Sequence, residues 1–492
     1  MPYLRLLLFC FAGLAPVLLW AQEPRQPVRL ELPYQYETSH VEVLALPDSS
    51  LLVYSRNADT WAKAPDFVLE KYNAQLEPVW KSTLDLKSEY EFVRHYTEAP
   101  YTYLIFQAAK PTLYTFVRLD LDSGTVSQSE IELEKAEFIY EFNVLRGNHF
   151  LITGNSYDTK PNLLYLNPEK PQPTILPALY GEESSFSDLH TDHEHGRVDV
   201  VLAETNRRIS RLQVKSFNPE GKLLQNYFIL QPQDRSLLNA EVTPGDTLSR
   251  LLVGTYGVRD LRFVQGFFTS PVAFKVAEGE FYSLLDLQNF FKYMKPRREE
   301  RTRKREFARI KEGKEPMQRY RMLLHDLIET PGGYVLAAEV YFPQYRSNSN
   351  LFDTRIRGVE REAQAYKRTH AIALGFDRDG VLLWDNTFPL RDVLTNSLTY
   401  AVEVASLPDG RLVMAYPEQE KIIYRQMVQN KYTDEETSIE LLPYEKEEKI
   451  LSTDLPGLIR WYGPHFAAFG FQRIRVPNGP NRTVFYINKI SF

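Results

Sequence analysis

Ala371–Phe388, AIALGFDRDGVLLWDNTF, decides how the rest of the chain is read. An apolar strand runs into a polar turn at Asp377–Gly380, and a second strand ends in aromatics. Asp and Gly at such a turn supply a local side-chain acceptor and a backbone free to take positive φ. A weaker copy stands at Phe67–Leu86, FVLEKYNAQLEPVWKSTLDL, with Asn73–Glu77 as the turn and Trp80 in the place of Trp384. Each copy is the outer half of a larger unit.

Working outward, the inner half of a unit is a further strand pair. In the first unit His40–Leu46 and Ser50–Ser55 flank Pro47-Asp48, and the outer pair follows. Units begin near residues 40, 91, 138, 186, 237, 323, 400 and 456. Four short strands repeating every 40–50 residues or so are the signature of a propeller blade. The last unit has only three strands before Phe492, while a lone strand, Val28–Leu32, precedes the first unit. The expectation is an all-β, eight-bladed propeller closed by pairing of the N- and C-terminal strands. It becomes seven blades if the irregular fifth unit is part decoration.

Composition narrows the function. The chain has 492 residues, 43% hydrophobic and 13% aromatic, with a formal net charge of −6. Aromatics suit pleated, half-buried surfaces, and the charge gives no basic surface for nucleic acid. Residues 1–21 read as a signal peptide, with Arg5 before the apolar run Leu6–Trp20 and Ala21 at the cut. That run is too short for a good membrane span. Cys10, inside it, is the sole cysteine, so residues 22–492 have no thiol or disulfide chemistry. They are expected to form a single propeller, exported to the periplasm or outer envelope and monomeric.

Two insertions interrupt the repeat. Residues 292–321 read as a basic helix, with Arg297, Arg298, Arg301, Arg303, Lys304 and Arg305 as its core; Lys295–Arg321 carries a net +7. Phe307 and Ile310 are its expected apolar contacts and Gly313 its stop. A solvated helix accounts for such a run; a basic arm for an anionic surface or acidic partner is the functional reading. Residues 346–367 read as a loop with a short helix at Val359–Tyr366.

Three sets of residues carry candidate chemistry. His190, His193 and His195 would form a metal cluster if a turn gathered them, although a polar turn at Gly196 explains the stretch without a ligand. Glu42, His95, Glu141, Asp188, Asn239, Asp326 and Glu403 stand at one offset before the turns that close their first strands. The first strand of a blade is innermost, so these groups are placed around the channel. There they bind a ligand, or accept backbone N–H groups of the next blade. The third set is the aromatics Tyr341, Tyr345, Trp461 and Tyr462, which suit sugar stacking or plain packing. Phosphate loops, nucleophile elbows and zinc-protease motifs are missing from the sequence.

Phe376–Phe388, FDRDGVLLWDNTF, resembles the PQQ-like bacterial propeller repeats, whose outer hairpin reads Asp-x-x-Gly-x-x-x-Trp, here Asp377, Gly380 and Trp384. LPDGRLVMAY, Leu407–Tyr416, resembles their inner hairpin. The chain as a whole is similar to exported propeller proteins of Bacteroidota. The resemblance implies the propeller fold. The quinone-docking repeat Ala-x-Asp-x-x-Thr-Gly-x-x-x-Trp of the dehydrogenases is missing, so it implies no cofactor. The function expected is a non-enzymatic binding or scaffold propeller for a protein or glycan of the envelope. The alternative is a carbohydrate-active enzyme using channel-mouth carboxylates.

Overall fold

Strand alternation cannot bury both faces of a small sheet by itself, so the sheets stack on one another. In the computed structural model the described residues form eight antiparallel sheets. These residues are 24–492 without 58–65, 88, 157–159, 178–183, 206–208, 273–278, 315–317, 346–362, 433–436 and 478. Blade 1 is Ser39–Ala45, Leu51–Asn57, Asp66–Tyr72 and Pro78–Leu84, paired in chain order. The first strands of blades 2–5 are Glu91–Glu98, Phe138–Leu145, Ser184–Asp192 and Ser236–Val242. Those of blades 7 and 8 are Glu403–Ser406 and Lys449–Arg460. In blade 6 the first strand is split into Arg321–Leu324 and Ile328–Thr330. The fifth unit is a full blade, and the count is eight. The expected signal peptide lies outside the described residues.

Blade 8 closes the ring. Arg29–Leu32 pairs with Arg482–Ser491, with Arg29 opposite Asn488 and Leu32 opposite Phe485. Arg29 also donates to Gln472 (2.8 Å) and Asn488 (3.0 Å), and Arg482 pairs with Glu31. The core lies between blades. Eight buried clusters each join two neighbours: Tyr54 and Phe67 of blade 1 meet Leu104 and Phe106 of blade 2, and Val41 and Val53 of blade 1 meet Phe485 and Ile487 of blade 8.

The outer turns repeat one geometry. The Asp377 carboxylate accepts the N–H groups of Asp379 (3.0 Å) and Val381 (2.8 Å). Asn73 and Asn218 do the same at residues two and four further on. Trp384 lies opposite Gly375 and Trp80 opposite Lys71, so the two tryptophans hold equivalent places. The Trp80 indole N–H donates to the Leu121 carbonyl of blade 2 at 3.0 Å.

The first insertion folds as a 3-10 turn, Phe290–Tyr293, and a helix, α1, Pro296–Lys311. Gly313 follows at φ 66°. Phe307 and Ile310 are not its contacts; both are 46% exposed. Glu299, Arg303 and Glu306, at four- and three-residue spacing, face the body instead. Arg303 donates to the Leu285 and Leu287 carbonyls at 2.9 and 2.8 Å and lies 4.9 Å over the Phe291 ring, and Glu306 is fully buried. The second insertion leaves from a long hairpin, Gly333–Gln344 with Ala365–Phe376. Ala365 and Tyr366 are strand rather than helix, because they pair with Gln344 and Pro343. The remainder of the expected helix lies outside the described residues, except that 363 and 364 form no regular element.

Candidate functional site in the channel

The free edge of each first strand faces the channel with unpaired backbone groups. Such an edge must be satisfied or it becomes a template for other chains. Side chains of the preceding blade do this. Glu98 accepts the N–H of Arg146 (2.6 Å) and Gly147 (2.8 Å). Asp188 accepts that of Val242 at 2.9 Å, and Glu403 that of Arg460 at 3.2 Å. Glu339 accepts those of Ala401 and Val402 at 2.8 and 2.9 Å.

The first strands are also bulged. In blades 2–5 the register slips between Phe92 and Arg94, Ile139 and Glu141, Phe186 and Asp188, and Leu237 and Asn239. A bulge bends its strand and re-aims the next side chain. The residues so placed are Arg94, Glu141, Asp188 and Asn239. In blade 2 the equivalent position is therefore Arg94, one residue before His95. In blade 6 the strand breaks outright at His325–Leu327, and Asp326 sits in the break.

Together these distortions line a cavity of ≈ 920 Å³ on the channel side of blades 2–6. Its wall includes five of the seven residues singled out by their offset: His95, Glu141, Asp188, Asn239 and Asp326. Glu42 is not among them; it pairs with His40 at 3.1 Å in blade 1. Glu403 is also outside, buried against blade 8, with its carboxyl pushed up to about 7 by burial. In blades 3–5 the residue after the bulge and the residue at the offset coincide and line the cavity; in blade 2 the offset residue His95 lines it and Arg94 does not.

The offset missed Glu241, His190, Tyr140 and Tyr400, which also line the cavity. Glu241 was legible: it stands two residues after Asn239 on the same strand face. Tyr400 comes from the link between blades 6 and 7 and stacks on His325 at 4.1 Å. Its neighbours that raise its hydroxyl pKa, after burial itself, are Asp326, Glu241, Glu141 and Asp188. Four carboxyls therefore line one cavity with this tyrosine. Burial is the first cause raising the pKa of Glu141, Asp188 and Glu241 above the ordinary carboxyl range. Mutual repulsion adds to it. Burial pushes the Asp188 carboxyl up to about 7, and the charge of Asp188 adds to the rise at Glu241. Burial lowers the pKa of His95 and His190, favouring their neutral forms.

The three clustered histidines do not come together: His190 lines the cavity, where its Nε2 has no hydrogen-bond partner among the described residues, and the other two have separate partners. His193 reaches the Tyr96 hydroxyl (2.9 Å) and Glu98 (3.3 Å), and His195 reaches Asp192 at 3.0 Å. Among the described residues no three His, Cys, Asp or Glu side chains are placed to hold a metal ion. No helix among them is long and apolar enough to cross a membrane.

Comparison with known proteins adds little to this geometry. No protein-family model matches the chain, and no curated protein matches it. Among solved structures the chain is similar to polysaccharide lyase Uly1, at 10% identity and TM-score 0.40 over 95% of this chain and 99% of that one. It is similar to prolyl oligopeptidase B from Galerina marginata at 9% identity and TM-score 0.42, covering 89% of this chain and 55% of the peptidase. The propeller domain of the Trilobed protease from Pyrococcus furiosus, described as having an open velcro topology, gives 7% identity and TM-score 0.34 over 80% and 94%. Likenesses this distant carry no argument about activity. By its own eight sheets, the chain is an eight-bladed β-propeller.

Proposed function

We propose that this is a binding propeller of the bacterial cell envelope that takes a glycan or a basic segment of a protein partner into its channel. The observation that carries this reading is the 920 Å³ cavity in which Glu141, Asp188, Glu241 and Asp326 converge with Tyr96, Tyr140 and Tyr400. Carboxyls accept hydroxyl and ammonium hydrogens, and tyrosines supply a flat apolar body with a polar tip. A concave site with a few convergent polar groups and perturbed carboxyls is where a ligand is first sought. The apolar leader at 1–21 and the PQQ-like outer hairpin support an exported bacterial setting.

The test is direct binding of envelope glycans and lysine-rich peptides to the wild type and to Asp188→Asn/Glu241→Gln. The amides preserve size while removing the ability of both groups to ionise. The double variant is expected to bind at least about tenfold more weakly, as loss of charge-assisted contacts costs more than about 1.4 kcal/mol. Binding unchanged in the variant removes the channel from the reading.

One observation favours a second reading, a carbohydrate-active enzyme. Glu241 and Asp188 line one cavity, and burial raises both above the ordinary carboxyl range, which supplies the pair of carboxyls that acid–base cleavage of a polysaccharide uses. Incubation with envelope polysaccharides would then yield new reducing ends, lost in Asp188→Asn. Intact polymer after incubation with active-folded protein counts against it.

A further inference from the structure

We propose that helix α1 is a rigid docking strip for an anionic phospholipid surface. Its ion pairs are Arg303–Glu299, Lys304–Glu300 and Arg305–Glu306. Arg297, Arg298, Arg301 and Lys311 lie exposed outside those pairs. At roughly 100° per residue, Arg297, Arg301, Lys304 and Lys311 fall on the side opposite Glu306, which faces the body, and Arg298 and Arg305 lie along one flank.

The strip is pre-organised. Arg303 is tied to three carbonyls of the segment before the helix, those of Leu285, Leu287 and Gln288. Glu306 is buried beneath the helix and Pro296 starts it. The cations are thus displayed along about 24 Å of helix at little entropic cost on binding. A solvated helix has no need of such anchoring.

Two features select a lipid surface over a soluble acidic chain. Phe307, 46% exposed, lies at three- and four-residue spacing from Lys304 and Lys311, and Ile310, also 46% exposed, follows it on the flank nearer the body. Apolar side chains flanked by lysine and arginine fit the headgroup boundary, where the rings and methyls are buried and the cations meet phosphate. The charge of the molecule is also polarised. The chain carries −6 and Lys295–Arg321 carries +7, which leaves −13 elsewhere. An anionic surface attracts the strip and repels the remainder, so the strip faces the membrane.

The experiment is co-sedimentation of the full chain with phosphatidylcholine vesicles and with vesicles that also contain phosphatidylglycerol, at low and high salt. Sedimentation is expected only with phosphatidylglycerol, and it weakens as salt screens the charges. Arg297→Gln/Arg298→Gln/Arg301→Gln/Lys311→Gln is expected to lose it by a factor of ten or more, given roughly tenfold or less per surface cation. Phe307→Ser is expected to lose part of it while retaining the salt dependence. An unchanged melting curve for the quadruple variant confirms that the exposed side chains were removed without unfolding. Equal sedimentation with both vesicle types, or a quadruple variant that binds like wild type, overturns the proposal. So does retention on polyglutamate without sedimentation on either vesicle, which makes the strip a site for acidic chains. None of these outcomes depends on what the channel binds.

Discussion

His149 shows at the residue scale how little a buried polar group needs to announce itself. It is 4% exposed, stacked on Phe116 at 5.3 Å with Tyr103 and Phe142 at its edges. Among the described residues neither ring nitrogen has a hydrogen-bond partner. Burial lowers its pKa to about 3, and that of His370 likewise, from 6.5. Both are neutral when folded, while the unfolded chain takes up their protons below pH 6.5. Their contribution is present above 6.5 and is lost as pH falls toward 3. Glu403 acts oppositely. Its raised pKa of about 7 contributes stability below pH 4.5 that is lost as pH rises through 7. His149→Phe is expected to raise stability at pH 7 by about 1–2 kcal/mol, since it removes two unmet polar atoms and retains the ring. It should also flatten the acid side of the stability curve between pH 6.5 and 4. Denaturant melts across that range check both, and a destabilised variant at pH 7 contradicts the account.

At the scale of the element, the device that recurs is an aromatic laid over a glycine on the paired strand. Trp384 covers Gly375, Phe469 covers Gly457 and Tyr256 covers Gly266. A Cβ on Gly375 would lie 2.1 Å from the Trp384 indole, and one on Gly457 2.3 Å from the Phe469 ring. Cross-strand pairs stabilise a sheet through such contacts. Gly375→Ala is expected to displace Trp384 and cost on the order of 1–3 kcal/mol, as overpacking does. A lowered melting midpoint with a shifted tryptophan emission would show it; a wild-type spectrum and midpoint would not fit. Gly375 and Trp384 were both visible in the opening hairpin, but which residue the indole covers required the register. Helix α1 illustrates the reverse case. Its existence and its stop at Gly313 were plain from charge and turn residues. Its buried face was not, because two charged residues, Arg303 and Glu306, took the place that apolar residues usually hold.

At the scale of the whole molecule, closure carries the stability of the ring. Arg29–Leu32 covers the edge of Arg482–Ser491, and Trp461 of blade 8 donates to the Ser50 carbonyl of blade 1 at 3.1 Å. Lys489 reaches the Ala74 carbonyl of blade 1 at 3.0 Å. Deletion of residues 24–33 is expected to lower the melting midpoint and to produce concentration-dependent aggregation through the bared edge. Light scattering during a thermal ramp reads both. A truncated chain that melts like the full one shows that the terminal strand does not hold the ring.

The structure decided for eight blades over seven, but the sequence by itself determined the repeat, its strand order and the joining of the termini. Those depend on alternation, turn residues and spacing, which act over a few residues at a time. Only the tertiary structure decided which polar residues share the channel. His95, Glu141, Asp188, Asn239 and Asp326 gather there with Glu241, while Glu42 and Glu403 do not. The reason is that a bulge or a break, as at Glu141, Asp188, Asn239 and Asp326, re-aims a side chain and is seen only once the strand register is known, whereas the strands of Glu42 and Glu403 pair without a shift.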